Sequence, residues 1–176
     1  MNKRLFSILA VLLLTTLVTS TASAGAAVKL SNITFSLGSL IAKGYASGLG
    51  STDVTVVLDA SGIPAITCTN QGGNNVPGQS SPKVSATGQQ TLLGNDPIRK
   101  NGKAAFFTET EDPETLAWDV AGCPNSHWTG HINFILWTNA TLSVYSTSTG
   151  ALLTRQNYTC NPAVQTATKV SCIAIP

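Results

Sequence analysis

A period-two alternation of apolar and polar residues recurs along the chain and predicts half-buried β-strands. The apolar positions that share a side are Val54, Val56 and Leu58 in one segment, and Ile132, Phe134, Leu136, Leu142 and Val144 in another. No window carries a sustained apolar period of 3.6 residues, so no helix is predicted. The pattern therefore favours the all-β class.

Turn-forming residues separate the predicted strands. Strands are predicted at 54–58, 63–69, 83–90, 103–110, 128–137, 140–146 and 151–160, with turns at 48–51, 60–62, 101–102 and 148–150. Two segments are predicted as loops: 70–79, rich in Gly and Asn, and 111–126, which carries two prolines and half of the acidic residues. This spacing predicts an immunoglobulin-like antiparallel β-sandwich.

The first residues have the three parts of a secretory signal peptide. Lys3 and Arg4 precede an apolar run over 5–17, and small residues end at Ala24. The run is shorter than the roughly 20 residues that a spanning helix needs. We therefore predict a signal peptide at 1–24, a single secreted domain at 25–176, and no membrane span after cleavage.

Removal of the signal peptide changes the charge balance. Two of the ten basic residues lie in it, which leaves eight basic residues against eight acidic ones. A formally neutral chain with scattered basic residues lacks the positive surface of a nucleic-acid-binding protein.

All four cysteines lie beyond the signal peptide, in a chain that export delivers to an oxidising compartment. Two disulfides are expected, and three pairings are possible. We favour Cys68 with Cys123, which ties distant strands, and Cys160 with Cys172, which closes a short loop. No CxxC pair is present, so a zinc site is not favoured.

Several short motifs carry a resemblance to a group of proteins. They are Cys68-Thr69-Asn70-Gln71-Gly72-Gly73-Asn74, Pro77-Gly78-Gln79, and Cys123-Pro124-Asn125 followed by Trp128. The chain from about 37 to 160 resembles uncharacterised exported bacterial proteins. The resemblance implies a secreted β-sandwich and no particular activity.

Three groups of residues are candidates for chemistry or binding. Glu109, Glu111, Asp112 and Glu114 form the only charge cluster, which fits a solvated loop and would also fit a Ca²⁺ site or a pair of hydrolytic carboxylates. Trp118 and Trp137 would offer flat faces to sugars if both were exposed, whereas Trp128 is expected to pack beside a disulfide. His127 and His131 lack the helix and the glutamate of a zinc-protease motif.

No nucleophile motif or cofactor motif appears, so no catalytic residue, cofactor or metal is predicted. The sequence favours a non-catalytic extracellular or cell-envelope module that binds a macromolecule, with 70–79 and 111–126 as contact loops. One alternative is a secreted polysaccharide hydrolase that uses the acidic loop. Another is a metal-binding protein that uses His127 and His131.

Overall fold

The computed structural model describes residues 27–37, 39–80, 82–166 and 168–176. In this part of the chain two antiparallel sheets form a β-sandwich, and two disulfides join Cys68 to Cys123 and Cys160 to Cys172. The predicted fold class and both cysteine pairings are confirmed. The predicted signal peptide lies outside the described residues.

The elements follow one another along the chain with short connections. They are β1 (Lys29–Ser36), β2 (Ile41–Ser47), β3 (Val54–Asn70), β4 (Asn75–Pro77), β5 (Val84–Leu92), β6 (Ala104–Glu109), β7 (Thr115–Leu116), α1 (Trp118–Ala121), β8 (Trp128–Ser146), β9 (Leu152–Asn161), a 3-10 turn (Pro162–Val164) and β10 (Ser171–Ile175). The small sheet has the order β1-β2-β6, and the large sheet runs β10-β9-β8-β3-β4, with β5 also paired to β3 and β7 to β8.

The large sheet is organised by two long strands, β3 and β8, which pair along their whole length. The predicted turn at 60–62 is wrong, because β3 runs unbroken from Val54 to Asn70. The predicted break between 137 and 140 is also wrong, because β8 continues through it. Small residues at 60–62 serve here as strand positions, since β5 and β8 hydrogen-bond to both of their edges.

Two bulges on β8 keep its apolar side in phase with β3. Ala65 and Ile66 pair with Phe134 and Ile132, which leaves Asn133 without a partner. Ser61 and Gly62 pair with Asn139 and Trp137, which leaves Thr138 without one. Each extra residue moves the following side chains to the other face of a sheet whose period is two. Val54, Val56 and Leu58 are buried as predicted, and so are Leu142 and Val144.

Between the two bulges the exposed and buried sides are exchanged relative to the prediction. Ile135 and Trp137 point into the core, and Trp137 is only 1% exposed. Phe134 is 56% exposed. Trp137 therefore lacks the exposed face that a sugar platform would need, and the expected burial of Phe134 is wrong, because strict alternation cannot anticipate an inserted residue.

The core lies between the two sheets. It is built from inward side chains of both, and its largest fully buried members are Trp137, Leu40, Leu58, Leu142, Val54, Val56 and Val144. One side of the sandwich is closed where β5 approaches β6, and a Cβ at Gly88 would overlap the carbonyl of Glu109. The other side is closed by an antiparallel β-bridge between the backbones of Ser36 and Lys169. The ring of Phe35 also packs edge-on against Tyr158 there, with ring centroids 5.0 Å apart.

A second, smaller core surrounds the first disulfide. Cys68 on β3 and Cys123 are buried with Ile66 and Ala121, and Trp128 packs against this group as expected. The segment 111–126, predicted as a loop, contains β7 and the one-turn helix α1, which ends at Gly122 in the left-handed conformation (φ 67°). The cysteines of the Cys68–Cys123 disulfide are 55 residues apart. For this separation the chain-entropy model gives a stabilisation of the folded state of about 4 kcal/mol.

The predicted loop 70–79 is in part a hairpin. Asn75–Pro77 pairs with Thr67–Thr69, and the turn is closed by a bond from the Gly73 N–H to the Asn70 carbonyl (2.9 Å). The prediction that this segment has no regular structure is therefore wrong for residues 75–77.

The second disulfide joins directly opposed residues of β9 and β10. Together the two bridges indicate that the protein folds in an oxidising, extracytoplasmic compartment. No helix in the described ranges is long and apolar enough to cross a membrane.

Without Thr138, the parts of β8 before and after this position could not both pair with β3 and keep their apolar side chains in the core. One half would turn its apolar residues toward water, at a cost of about 1.5–3 kcal/mol for each buried side chain. We expect loss of cooperative unfolding, measured by circular dichroism during thermal denaturation.

Thr138→Ala is the matched control, because it keeps the extra residue and removes only the γ-methyl group and the hydroxyl, which donates to the Ser61 carbonyl (3.1 Å). It should cost about 1 kcal/mol. A deletion variant as stable as this control would show that the bulge does not set the register.

Candidate ligand-binding cleft

A cleft lies beside one edge of β8. It has a volume of about 990 Å³. Its floor is residues 132–137 of β8, one wall is residues 110–114, and the remaining lining comes from Leu37, Ser39, Gln165 and Thr166. The cleft therefore lies between the acidic segment, residues 110–114, and the part of β8 between its two bulges.

The cleft exists because β8 loses its neighbouring strand there. β7 pairs with β8 only at Gly130 and His131, and β9 begins to pair at Asn139. Among the described residues no strand lies beside 132–138 on this side. The backbone groups at this edge need other partners, since unpaired polar groups are costly to bury.

The side chain of Gln165 supplies two of those partners. Its Oε1 accepts a hydrogen bond from the Trp137 N–H (3.1 Å), and its Nε2 donates to the Ile135 carbonyl (2.6 Å). At the other end of the gap the Ile132 N–H donates to the Glu114 carbonyl (2.9 Å). One side-chain amide thus occupies the position of a peptide group in a neighbouring strand.

The wall formed by residues 110–114 is fixed in position by hydrogen bonds of the buried Thr110 hydroxyl. This hydroxyl accepts a hydrogen bond from the Leu40 N–H (3.0 Å) and donates to the Asp112 carboxylate (2.5 Å). Burial raises the pKa of Asp112 above its ordinary value of 3.8, the Thr110 hydrogen bond opposes this rise, and the charge of Glu109 adds to it. Thr110 therefore ties the acidic segment to the turn before β2.

The cleft brings together three of the four predicted carboxylates. Glu111, Asp112 and Glu114 line it, and none of the described residues that line it has a basic side chain. Glu109 ends β6 and lies outside the lining. The cleft is therefore negatively charged at neutral pH, and the exposed ring of Phe134 provides an apolar surface beside the charge.

The two candidate tryptophans do not form a common platform. Trp118 is 40% exposed on α1 and does not line the cleft, whereas Trp137 contributes to the cleft floor from within the core. Stacking of a sugar across both rings is therefore excluded by their positions.

His127 and His131 share a separate shallow pocket of about 290 Å³ with Thr69, Asn70, Gln71, Ser126 and Thr129. Within the described ranges no group of three or more His, Cys, Asp or Glu side chains could hold a metal ion. Two imidazoles alone fall short of the four ligands of a structural zinc site.

Two residues of the cleft were missed in the sequence. Phe134 was assigned to the core, and its exposure depends on the bulge at Asn133. Gln165 lies after the 3-10 turn, far in sequence from Trp137, and no local pattern marks it.

No protein-family model matches this chain, and no curated protein matches it. Among solved structures it is similar to a Bacteroides uniformis β-glucuronidase, with 12% identity and a TM-score of 0.29 over 75% of this chain. It is also similar to a calcium-binding mutant of Bacteroides uniformis β-glucuronidase 2, with 12% identity and a TM-score of 0.28 over 76% of this chain. The chain spans 12% of the length of each.

Asp112→Asn should raise the melting temperature at neutral pH. A carboxyl whose pKa is raised in the folded state binds its proton more tightly there, so the stability it contributes falls as the pH rises through the folded pKa. The amide oxygen can still accept from Thr110. Screening of this partly exposed group limits the gain to less than about 1 kcal/mol, or about 2–4 °C at most.

The measurement is differential scanning calorimetry between pH 3 and pH 8. The difference between the variant and the parent should shrink below about pH 4, where the carboxyl is protonated in both states. A gain in melting temperature that does not depend on pH would contradict a raised pKa of Asp112 as its cause.

Proposed function

We propose that this protein is a secreted, non-catalytic binding module of the extracellular space or cell envelope, and that its ligand occupies the cleft beside β8. The observation that carries the proposal is the open stretch of sheet edge at 132–138, which forms the floor of the cleft. Ligand sites are concave, and they combine apolar lining with a few polar groups.

The lining indicates which ligands fit. Glu111, Asp112 and Glu114 favour a positively charged group, since within the described ranges no basic side chain lines the cleft to neutralise them. Phe134 and the partly buried Leu136 lie at the same site and favour an apolar neighbour to that charge. The proposed ligand is therefore a cationic chain with apolar groups, such as a basic peptide segment or a chain of amino sugars.

Replacement of Glu111 and Glu114 by Gln should weaken binding of such ligands by about 3–10-fold, because exposed ion pairs contribute about 0.2–1 kcal/mol each. Both residues are exposed, so the fold should be unaffected. The measurement is NMR titration of the mature protein with a lysine–valine peptide and with a chitosan oligosaccharide, following the amide signals of 132–137.

Asp119→Asn is the matched control, because Asp119 lies on α1 and does not line the cleft. It should leave binding unchanged. If neither probe perturbs the amides of the cleft, the proposed site is wrong.

A second candidate function is a polysaccharide hydrolase. It is favoured by Asp112, whose raised pKa suits a general acid, in the same cleft as Glu111 and Glu114. If the protein is a hydrolase, it should release reducing ends from a polysaccharide panel, and Asp112→Asn should reduce the rate at least about 100-fold. Absence of release by the parent protein would favour the binding module.

A further inference from the structure

The edge of β8 that lacks a neighbouring strand is hydrogen-bonded by the side chain of Gln165, in the way that a peptide group of a strand would bond it. Trp137 and Ile135 lie two residues apart, and they offer an N–H and a carbonyl to the same side of β8. Gln165 bonds both through its amide. A peptide strand added beside β8 would need these same two groups, whichever direction it ran.

The surroundings of the gap suit a short inserted strand. β7 lies at one end and β9 at the other, so an added segment would extend a line of hydrogen bonds that the fold already contains. At about 3.3 Å per residue the five intervals from 133 to 138 span roughly 17 Å, enough for a strand of about five residues. Side chains of such a segment would alternate between the two faces of the sheet.

Resting on the binding function proposed above, we infer that the ligand is an extended polypeptide segment with basic and apolar residues, which adds as a strand to 133–138 and displaces the side chain of Gln165. Backbone bonds would provide affinity in this mode, and alternate side chains would provide specificity. The carboxylates of Glu111 and Glu114 would pair with its basic residues, and Phe134 would contact an apolar one.

The experiment compares two probes of identical sequence, an acetylated five-residue peptide of alternating valine and lysine and its derivative N-methylated at alternate residues. The methyl groups remove the N–H donors of one edge and leave charge and apolar surface in place. Loss of the hydrogen bond to the Ile135 carbonyl, together with the clash of the methyl groups against the strand edge, should weaken binding at least about tenfold. The amide signal of Trp137 should shift with the parent peptide, since its hydrogen-bond partner changes.

A variant of the displaced side chain provides a second test. Gln165→Ala removes the competing amide and should tighten binding of the parent peptide, whereas a side chain that itself held the ligand would give weaker binding. Gln89→Ala, which makes the same change at an exposed glutamine of β5 outside the cleft lining, is the matched control and should leave the affinity unchanged. Melting temperatures of both variants establish that they are folded.

The outcomes separate this inference from the proposed function. Equal binding of both peptides, or weaker binding to Gln165→Ala, would overturn strand addition, and a continued effect of the Glu111 and Glu114 substitutions would still support a cationic ligand in the cleft. Binding of the chitosan oligosaccharide without binding of the peptide would likewise overturn strand addition and would still support a cationic ligand in the cleft. Failure of every probe would overturn both.

Discussion

The antiparallel pairing of β3 with β8 is the constraint on which the rest of the structure depends. Every residue of β3 from Val54 to Asn70 has a partner on β8, and β8 needs two extra residues, at Asn133 and Thr138, to keep its apolar side inward over that length. In the large sheet, β4 and β5 pair with the outer edge of β3, β7 and β9 pair with the outer edge of β8, and β10 pairs with β9. Because side chains alternate with a period of two, the loss of either extra residue would turn part of the core toward water.

The bulges also explain why the cleft lies where it does. They fall within the stretch of β8 that has neither β7 nor β9 beside it, and bulges commonly occur where pairing ends or a side chain is redirected. Phe134 is turned outward while Trp137 is turned into the core. The edge that remains is bonded by Gln165, so the fold satisfies its backbone groups without covering the site with a strand.

The acidic segment contributes charge to the cleft, and the fold determines which carboxylates contribute. Thr110 fixes the segment to the turn before β2, which places Glu111, Asp112 and Glu114 along the wall and leaves Glu109 on β6. The sequence identified this cluster by composition alone. It could not show that the cluster faces an open sheet edge, because that edge belongs to a strand that begins at Trp128, after the acidic segment.

The sequence by itself determined the all-β class and the inward residues Val54, Val56 and Leu58 of β3, because alternation is a local signal. It left three cysteine pairings open, and the pairing that it favoured is confirmed by the structure. It did not determine the unbroken course of β3 and β8, since small residues at 60–62 are equally compatible with a turn and with a strand bonded on both edges. Only the tertiary structure decided which side of 132–138 faces water and which side chain closes its edge. A bulge is set by the register of two strands far apart in sequence, and the amide of Gln165 meets β8 only after the chain has folded around it.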